Sequence, residues 1–528
     1  METFQVLRKM LIFRFCQLDS GGTAVLALAI VLPAILLLFL RKGERSRTSE
    51  DEDGFPRGPW RLPIVGNLPL FLSLPHQSLA KLYFEQGHGA IIGLHLGVQR
   101  AVVVSSAALA RELLLTHDKA FANRVHFSFA DHLFYGYGRA VILSAHTPRF
   151  IHLRKVYMLE LLTARRLHDM REARYIEGRR LLHHLRDYSG TAVELGAVIA
   201  EMNANAMGRL MQSKTLDEVA PELPELIRAM QNLTIPTVGD FVPAFSLLDI
   251  ITKIRMKKLH QRIDLAFDSI LQERSRLMET VPPEQLPNDF LQCLLSRKQD
   301  NDDEESISPV EIKAIMLDLF LAGIDTSTST VEWAMAELLR NQECFEKLRK
   351  EVDEVKKGEL RYITDEDVQK MPYLYSVVKE VLRLHPVVPL LLPRISSEEC
   401  KIEDYILPKE TMAFVNVWAI GRDPKIWDRP EDFYPERFEM RETDMKGQDY
   451  ELLPFGSGRR MCVGIRLGIS MVSVTLANLI RFFDWELPPN QSASSINMSE
   501  QNGLGSGMAC PIKAVPYVRS GFLGSSFL

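Results

Sequence analysis

The sequence has no Cys-x-x-Cys pair, no cysteine or histidine pairs at finger-like spacing, and no regular cysteine framework. Its 6 cysteines are scattered at positions 16, 293, 344, 400, 462 and 510. This disfavours a structural zinc site and a disulfide scaffold, and reduced thiols are the expectation. Excess charge is also lacking: a net charge of −5 over 528 residues gives no reason to expect nucleic acid as a partner. There is no internal repeat, no long low-complexity block and no Gly-x-Gly-x-x-Gly turn for a dinucleotide. What remains is ordinary globular material, 46% hydrophobic and 25% charged, enough for a large core.

One long apolar run stands apart. Ser20 to Leu40 contains no charged residue, and Ala24–Leu40 is apolar throughout. As a helix it would reach roughly 31 Å, about one hydrocarbon core. A cleaved signal peptide is the alternative, but the run is longer than a signal core and passes into Arg41-Lys42 without a small-residue cleavage site. The expected organisation is an N-terminal membrane anchor region over 1–41, with the span at about 20–40. A charged linker and proline-rich hinge follow over 42–63, then one catalytic body over 64–528. Basic residues flank the span on both sides, Arg8, Lys9 and Arg14 before it and Arg41, Lys42, Arg45 and Arg47 after it, so charge alone sets the orientation weakly. Pro56, Pro59 and Pro63 forbid regular helix or central strand and predict a stiff elbow.

Beyond the elbow, Ala90–Leu96 and Ala101–Ser105 read as short strands, and helical patterns dominate from about 150 to 350. The expected class is mainly α with a small β-rich region. The acidic stretch Asp300–Glu305 reads as a solvated loop. Ser308-Pro309-Val310-Glu311 has the form of a capping box with proline at the first helical position. The apolar pattern then predicts one helix to about Leu339, on the order of 45 Å long, central and buried.

The richest segment is Pro454-Phe455-Gly456-Ser457-Gly458-Arg459-Arg460-Met461-Cys462-Val463-Gly464. Its glycines permit a tight turn and close approach of a flat ligand, and N–H groups around Cys462 can tune its sulfur. A thiolate there can hold a metal, with Arg460 offering a cation to a carboxylate. The spacing Phe455-x-x-Gly458-x-Arg460-x-Cys462-x-Gly464 resembles the haem-binding signature of the cytochrome P450 superfamily. The resemblance covers nearly the whole chain after residue 55. It implies a P450 fold behind an N-terminal transmembrane helix, haem as cofactor, and Cys462 as the axial iron ligand. Phe455, Gly456, Gly458, Arg460 and Gly464 would then contact or shape the haem site, with Arg154 and Arg394 as further cations.

Ala322-Gly323-Ile324-Asp325-Thr326 is unusual inside a helix, since Gly, Asp and Thr are weaker helix formers than Ala. Gly323 is read as leaving room for a ligand against the backbone. The stretch resembles the family's oxygen-activation motif, which implies Asp325 and Thr326 as catalytic proton donors. A threonine bonding back to the carbonyl four residues earlier, and bending the helix, is the competing reading. Glu380 and Arg383, at i, i+3 on one helix face that ends at His385 before Pro386, look with Arg437 of Pro435-Glu436-Arg437-Phe438 like the family's buried Glu-Arg-Arg network. The chain departs from the family at Phe150, where a Trp-Arg pair is common. The absent indole N–H would shift haem-carboxylate binding onto Arg154, Arg460 and Arg394.

For the substrate pocket the resemblance points to Phe127, Phe129, Phe134, Tyr135 and Tyr137, to Leu319 and Ala322, to Val387 through Leu391, and to Leu504. Core packing is an equal alternative for each. The resemblance implies an O2-dependent monooxygenase in the endoplasmic reticulum membrane, its catalytic body cytosolic. Electrons would come from NADPH through a separate flavoprotein reductase carrying FAD and FMN. Ala322–Arg340 is similar to land-plant enzymes that hydroxylate phenylpropanoids and flavonoids. A haem-thiolate isomerase or dehydratase working without O2, a terpenoid or fatty-acid hydroxylase, and a membrane haem sensor remain as alternatives.

Overall fold

Helix starts in this protein are set by local chemistry. In α1 (Pro148–Glu160) the Thr147 hydroxyl accepts the Phe150 N–H at 3.2 Å ahead of a proline in the first turn. The computed structural model describes residues 54–297, 306–355, 361–501, 503 and 505–520. The expected anchor, the charged linker before Gly54, the acidic stretch 300–305 and Leu504 lie outside the described residues. The remaining helices used below are α2 (Leu195–Gln212), α3 (Leu223–Leu233), α4 (Ile250–Thr280), α5 (Pro309–Gly323), α6 (Asp325–Arg340), α7 (Pro372–Leu384) and α8 (Ile465–Phe482).

The capping box at Ser308 is formed: its hydroxyl accepts the Glu311 N–H at 3.3 Å, and the Glu311 carboxylate accepts the Ser308 N–H at 2.9 Å. The single helix expected to Leu339 is instead two, α5 and α6, separated at Ile324 with ψ −66°. The weak helix formers Gly323, Asp325 and Thr326 flank that break. Hydroxyls of Thr326 and Thr328 compete there, donating to the carbonyls of Ala322 at 2.7 Å and Ile324 at 2.8 Å. Central and buried holds for both pieces: α6 packs on α2 and α8, and Trp333 is fully buried. The 309–340 run and α8 are apolar enough to cross a membrane, but 72% of each apolar window is buried, which marks them as core helices.

Ten strands occur among the described residues: β1 (Ile91–Leu96), β2 (Gln99–Val104), β3 (Asn123–Arg124), β4 (Val193–Glu194), β5 (Arg394–Ile395), β6 (Cys400–Ile402), β7 (Tyr405–Leu407), β8 (Met412–Val415), β9 (Phe483–Glu486) and β10 (Lys513–Val518). The largest sheet runs β1-β2-β8-β5-β3, with β2 and β8 parallel and the other pairs antiparallel. Its far edge matters for the site, because the β3–β5 register sets Arg124 directly opposite Arg394. The proline elbow is irregular through Arg61 and is tied to β1 by the Gly93 N–H donating to the Arg57 carbonyl at 3.0 Å.

Candidate haem-thiolate site

The cysteine loop closes on itself before α8 begins. The Cys462 N–H donates to the Phe455 carbonyl at 3.0 Å, and the Met461 N–H to Gly458 at 3.0 Å. Gly458 has φ +71°, and a Cβ there would lie 2.4 Å from Asp118 Oδ1, so conformation and space both demand glycine. Asp118 holds the loop from below, accepting the Arg459 N–H at 3.1 Å and its guanidinium at 3.0 Å. The Cys462 side chain carries exposed surface, yet the enclosing protein pushes its thiol pKa up. The Gly464 N–H and the Arg154 charge pull it back down. Cβ atoms built at Gly456, Gly464 and Gly468 meet nothing closer than 3.6 Å, which leaves one side of the loop open.

Four guanidiniums gather beside this loop: Arg124, Arg154, Arg394 and Arg460. Arg154 donates to the Met461 carbonyl at 2.7 Å, and Arg394 to the Ser457 carbonyl at 2.9 Å. Arg460 donates to the carbonyls of Ala122, Val141 and Ser144, and its guanidinium carbon lies 3.9 Å from the centre of the Phe150 ring. Phe150 supplies no donor, but its ring lies against the Arg460 guanidinium as a cation–π contact. Arg124 was not legible as a site residue. Burial, then the charges of Arg394 and Arg460, hold it well below the usual arginine range. Burial and the charge of Arg394 bring Arg460 down to about 9, and burial alone brings Arg394 to about 10.

Like charges opposed across a strand pair repel, and the carboxylate here among the described residues is Asp118. Arg394 Nη1 stands 3.6 Å from its Oδ1, beyond hydrogen-bond distance, and is a buried donor without a hydrogen-bond partner. A soft sulfur ligand, an open glycine face and four guanidiniums that share one nearby carboxylate fit haem, whose metal would take the thiolate and whose carboxylates would take the arginines.

On the central helix, Ala322 is exposed although the preceding turn, Met316–Leu321, is buried. Thr326 donates its hydroxyl proton into the helix, which leaves its oxygen lone pairs as acceptors. Burial raises the Asp325 carboxyl, while a hydrogen bond from Gln231 and the charge of Arg228, both on α3, lower it. Gly323 serves differently from the expectation. Its Cβ would sit 2.8 Å from the Met207 sulfur, so the glycine admits α2 against the helix rather than a ligand.

Glu380, Arg383 and Arg437 come together deep in the body. Arg383 forks onto both Glu380 oxygens at 2.8 Å each, and Arg437 Nε donates to Oε1 at 3.0 Å. The remaining guanidinium hydrogens reach carbonyls of residues 421–432, so the network pins that long connection to α7. Phe127, Phe129 and Phe134 interlock, with ring centres 5.4 and 6.1 Å apart. Tyr135 is committed to Asp264 and Tyr137 to the Arg124 carbonyl. Val387 and Leu319 are buried, and Leu391 takes φ +50° next to Gly456. Asp118 and Arg124 were invisible in the sequence because strand register and loop packing, not spacing, bring them in.

Comparison with known proteins agrees with this geometry. A family model described as Cytochrome P450 matches residues 56–509. The chain is 38% identical over 480 residues to a flavonoid 3′-monooxygenase of Crocosmia x crocosmiiflora, covering 88% of this chain and 92% of that protein. It is 37% identical over 509 residues to a flavonoid 3′-monooxygenase of Arabidopsis thaliana, covering 94% and 98%. A zebra fish cytochrome P450 solved with progesterone superposes with a TM-score of 0.72 at 25% identity, covering 84% of this chain and 99% of that one.

Proposed function

This chain belongs to the cytochrome P450 family and is a haem-thiolate monooxygenase, and from that premise we propose that it hydroxylates a flavonoid or related phenylpropanoid, with Cys462 as the axial ligand. The observation that carries the substrate class is the similarity to flavonoid 3′-monooxygenases over about nine tenths of the chain. The interlocked phenylalanines beside the Arg124 segment are in keeping with a flat aromatic guest. Haem, when bound, supplies redox chemistry in which thiolate ligation favours O–O cleavage and insertion of one oxygen atom into a C–H bond.

The chain's own residues hold and protonate. Cys462 would give its sulfur to the metal, tempered by the Gly464 N–H, and Arg124, Arg154, Arg394 and Arg460 would hold the haem carboxylates. Thr326 accepts a proton-bearing partner at Oγ1 while its own hydrogen stays on Ala322. Asp325, its carboxyl pKa raised by burial against the pull of Gln231 and Arg228, would supply protons from the side of α3. An oxygen-independent isomerase or dehydratase has no bound dioxygen to protonate, and product formation that does not depend on O2 would favour it. Electrons come from NADPH through a flavoprotein reductase docked near the Cys462 loop.

Attachment to the endoplasmic reticulum membrane, body toward the cytosol, is the reading for residues 1–41. An apolar patch supports it. Trp60, Ile64 and Val98 are 57%, 55% and 75% exposed, and Val98 is bonded to Phe241, which leads to exposed Leu247, Leu248, Ile250, Ile251 and Ile254. The test is turnover of a flavonoid panel by the full-length enzyme with reductase and NADPH, against terpenoids and fatty acids. Flavonoid hydroxylation is the expected product; turnover confined to terpenoids or fatty acids would overturn the substrate class.

A further inference from the structure

The apolar core of α5 carries one carboxylate. Asp318 lies in Ala314–Leu321, where every neighbour is hydrophobic, and is 4% exposed. Its Oδ2 accepts the N–H of Val141 at 2.7 Å and of Ile142 at 3.1 Å, while Oδ1 has no hydrogen-bond partner. Burial pushes its pKa up to about 7, against the pull of those two N–H groups. An ionisable group in such a place is costly, and stapling a loop to a helix does not need one.

What lies on the other side of that loop gives the charge a use. The Ile142 N–H and the Val141 carbonyl belong to one peptide unit. The carbonyl end accepts Arg460 Nη1 at 3.3 Å, and the next carbonyl, of Ile142, accepts Arg124 Nε at 3.2 Å. A carboxylate at the N–H end and a guanidinium at the C=O end polarise the same amide in the same sense, and each strengthens the other's hydrogen bond.

We propose that Asp318 is a positioning residue for the haem carboxylates: through the 141–142 peptide unit it aims Arg460, and through the next carbonyl Arg124. This rests on the assignment of those arginines to the haem carboxylates. The segment 140–144 is then a spacer of fixed length between the central helix and the cationic edge of the β3–β5 pair. Asp318 touches neither haem nor substrate.

The experiment measures the rate of haem loss from purified full-length holoenzyme to excess apomyoglobin. Arg460→Ala, Asp318→Leu, Asp318→Asn and the Arg460→Ala/Asp318→Leu double variant are compared with the parent. Arg460→Ala and Asp318→Leu should each speed loss about tenfold, the scale of one charge-assisted hydrogen bond. The double variant should lose haem faster than Arg460→Ala but by clearly less than the product of the two single effects, since one branch of Asp318's action runs through Arg460 and the other through Arg124. Asp318→Asn keeps an acceptor without the charge and should fall between the parent and Asp318→Leu; it carries the comparison if the leucine variant does not accumulate as holoprotein. Parental loss rates in the Asp318 variants, or fully multiplicative effects in the double variant, would overturn the inference while leaving the arginine assignment standing. An unchanged rate in Arg460→Ala would overturn that assignment, and the inference with it.

Discussion

At the scale of single residues, the side chains that bear on chemistry divide by how they are brought together. Thr326→Ala removes a hydroxyl and a methyl from a half-buried position, so haem and substrate binding should change little. Proton delivery at Oγ1 is lost, and reducing equivalents divert to free peroxide or water. The measure is product formed per NADPH consumed with reductase present; a parental ratio would assign Thr326 to helix bending alone. Phe150→Leu removes the ring beneath Arg460, a cation–π contact of roughly 1 kcal/mol, and should speed haem loss about fivefold. An unchanged rate would mean that the three carbonyls holding Arg460 suffice. Cys462, Arg460 and Thr326 are proposed from local spacing, which the sequence displays directly. Asp318 had a visible signal, one acid in an apolar run, that spacing rules do not interpret. Arg124 had none, since only the strand register sets it opposite Arg394.

At the scale of elements, hydrophobic period gave β1 and β2 of the ten described strands, the capping box gave the start of α5, and Pro386 gave the end of α7 at His385. The break at Ile324 was not legible, since the apolar pattern continues through it and the interruption comes from hydroxyl-to-carbonyl bonds. The role of Gly323 was misread for a related reason: which neighbour faces a glycine is a property of packing, here Met207 on α2. Helix α6 also carries Glu332, 7% exposed, which accepts the Ile512 N–H at 3.1 Å and joins the helix to the segment leading into β10. Burial first, and Glu194 beside it, push its pKa from 4.5 to about 7, against the pull of the Ile512 N–H. The folded state therefore binds this proton more tightly than the unfolded chain, and between pH 4.5 and about 7 its contribution to stability falls as pH rises. Glu332→Gln should accordingly stabilise the protein by about 1–3 kcal/mol at pH 8 and change it little at pH 5. Thermal midpoints at the two pH values check this, and equal shifts at both would contradict it.

At the scale of the whole molecule, one α-rich body sets the cysteine loop against the cationic edge of a sheet and ties the central helix to that edge through Asp318 and the 141–142 segment. The Glu380, Arg383 and Arg437 network fastens the connection that leads from α7 toward the cysteine loop. Removing residues 1–48 should move the protein to a more soluble fraction with haem binding intact, leaving weak attachment through the apolar patch from Trp60 to Ile254. Membrane fractionation reads this, and truncated protein held as tightly as the full chain would contradict a single anchor. The central claim is that Cys462 is the thiolate ligand of a bound haem, and the reduced carbon monoxide difference spectrum tests it most directly. The full-length protein should give the thiolate-type band, and Cys462→Ala should abolish it, since among the described residues no other cysteine lies in such a loop. Persistence of that band in Cys462→Ala would contradict the account.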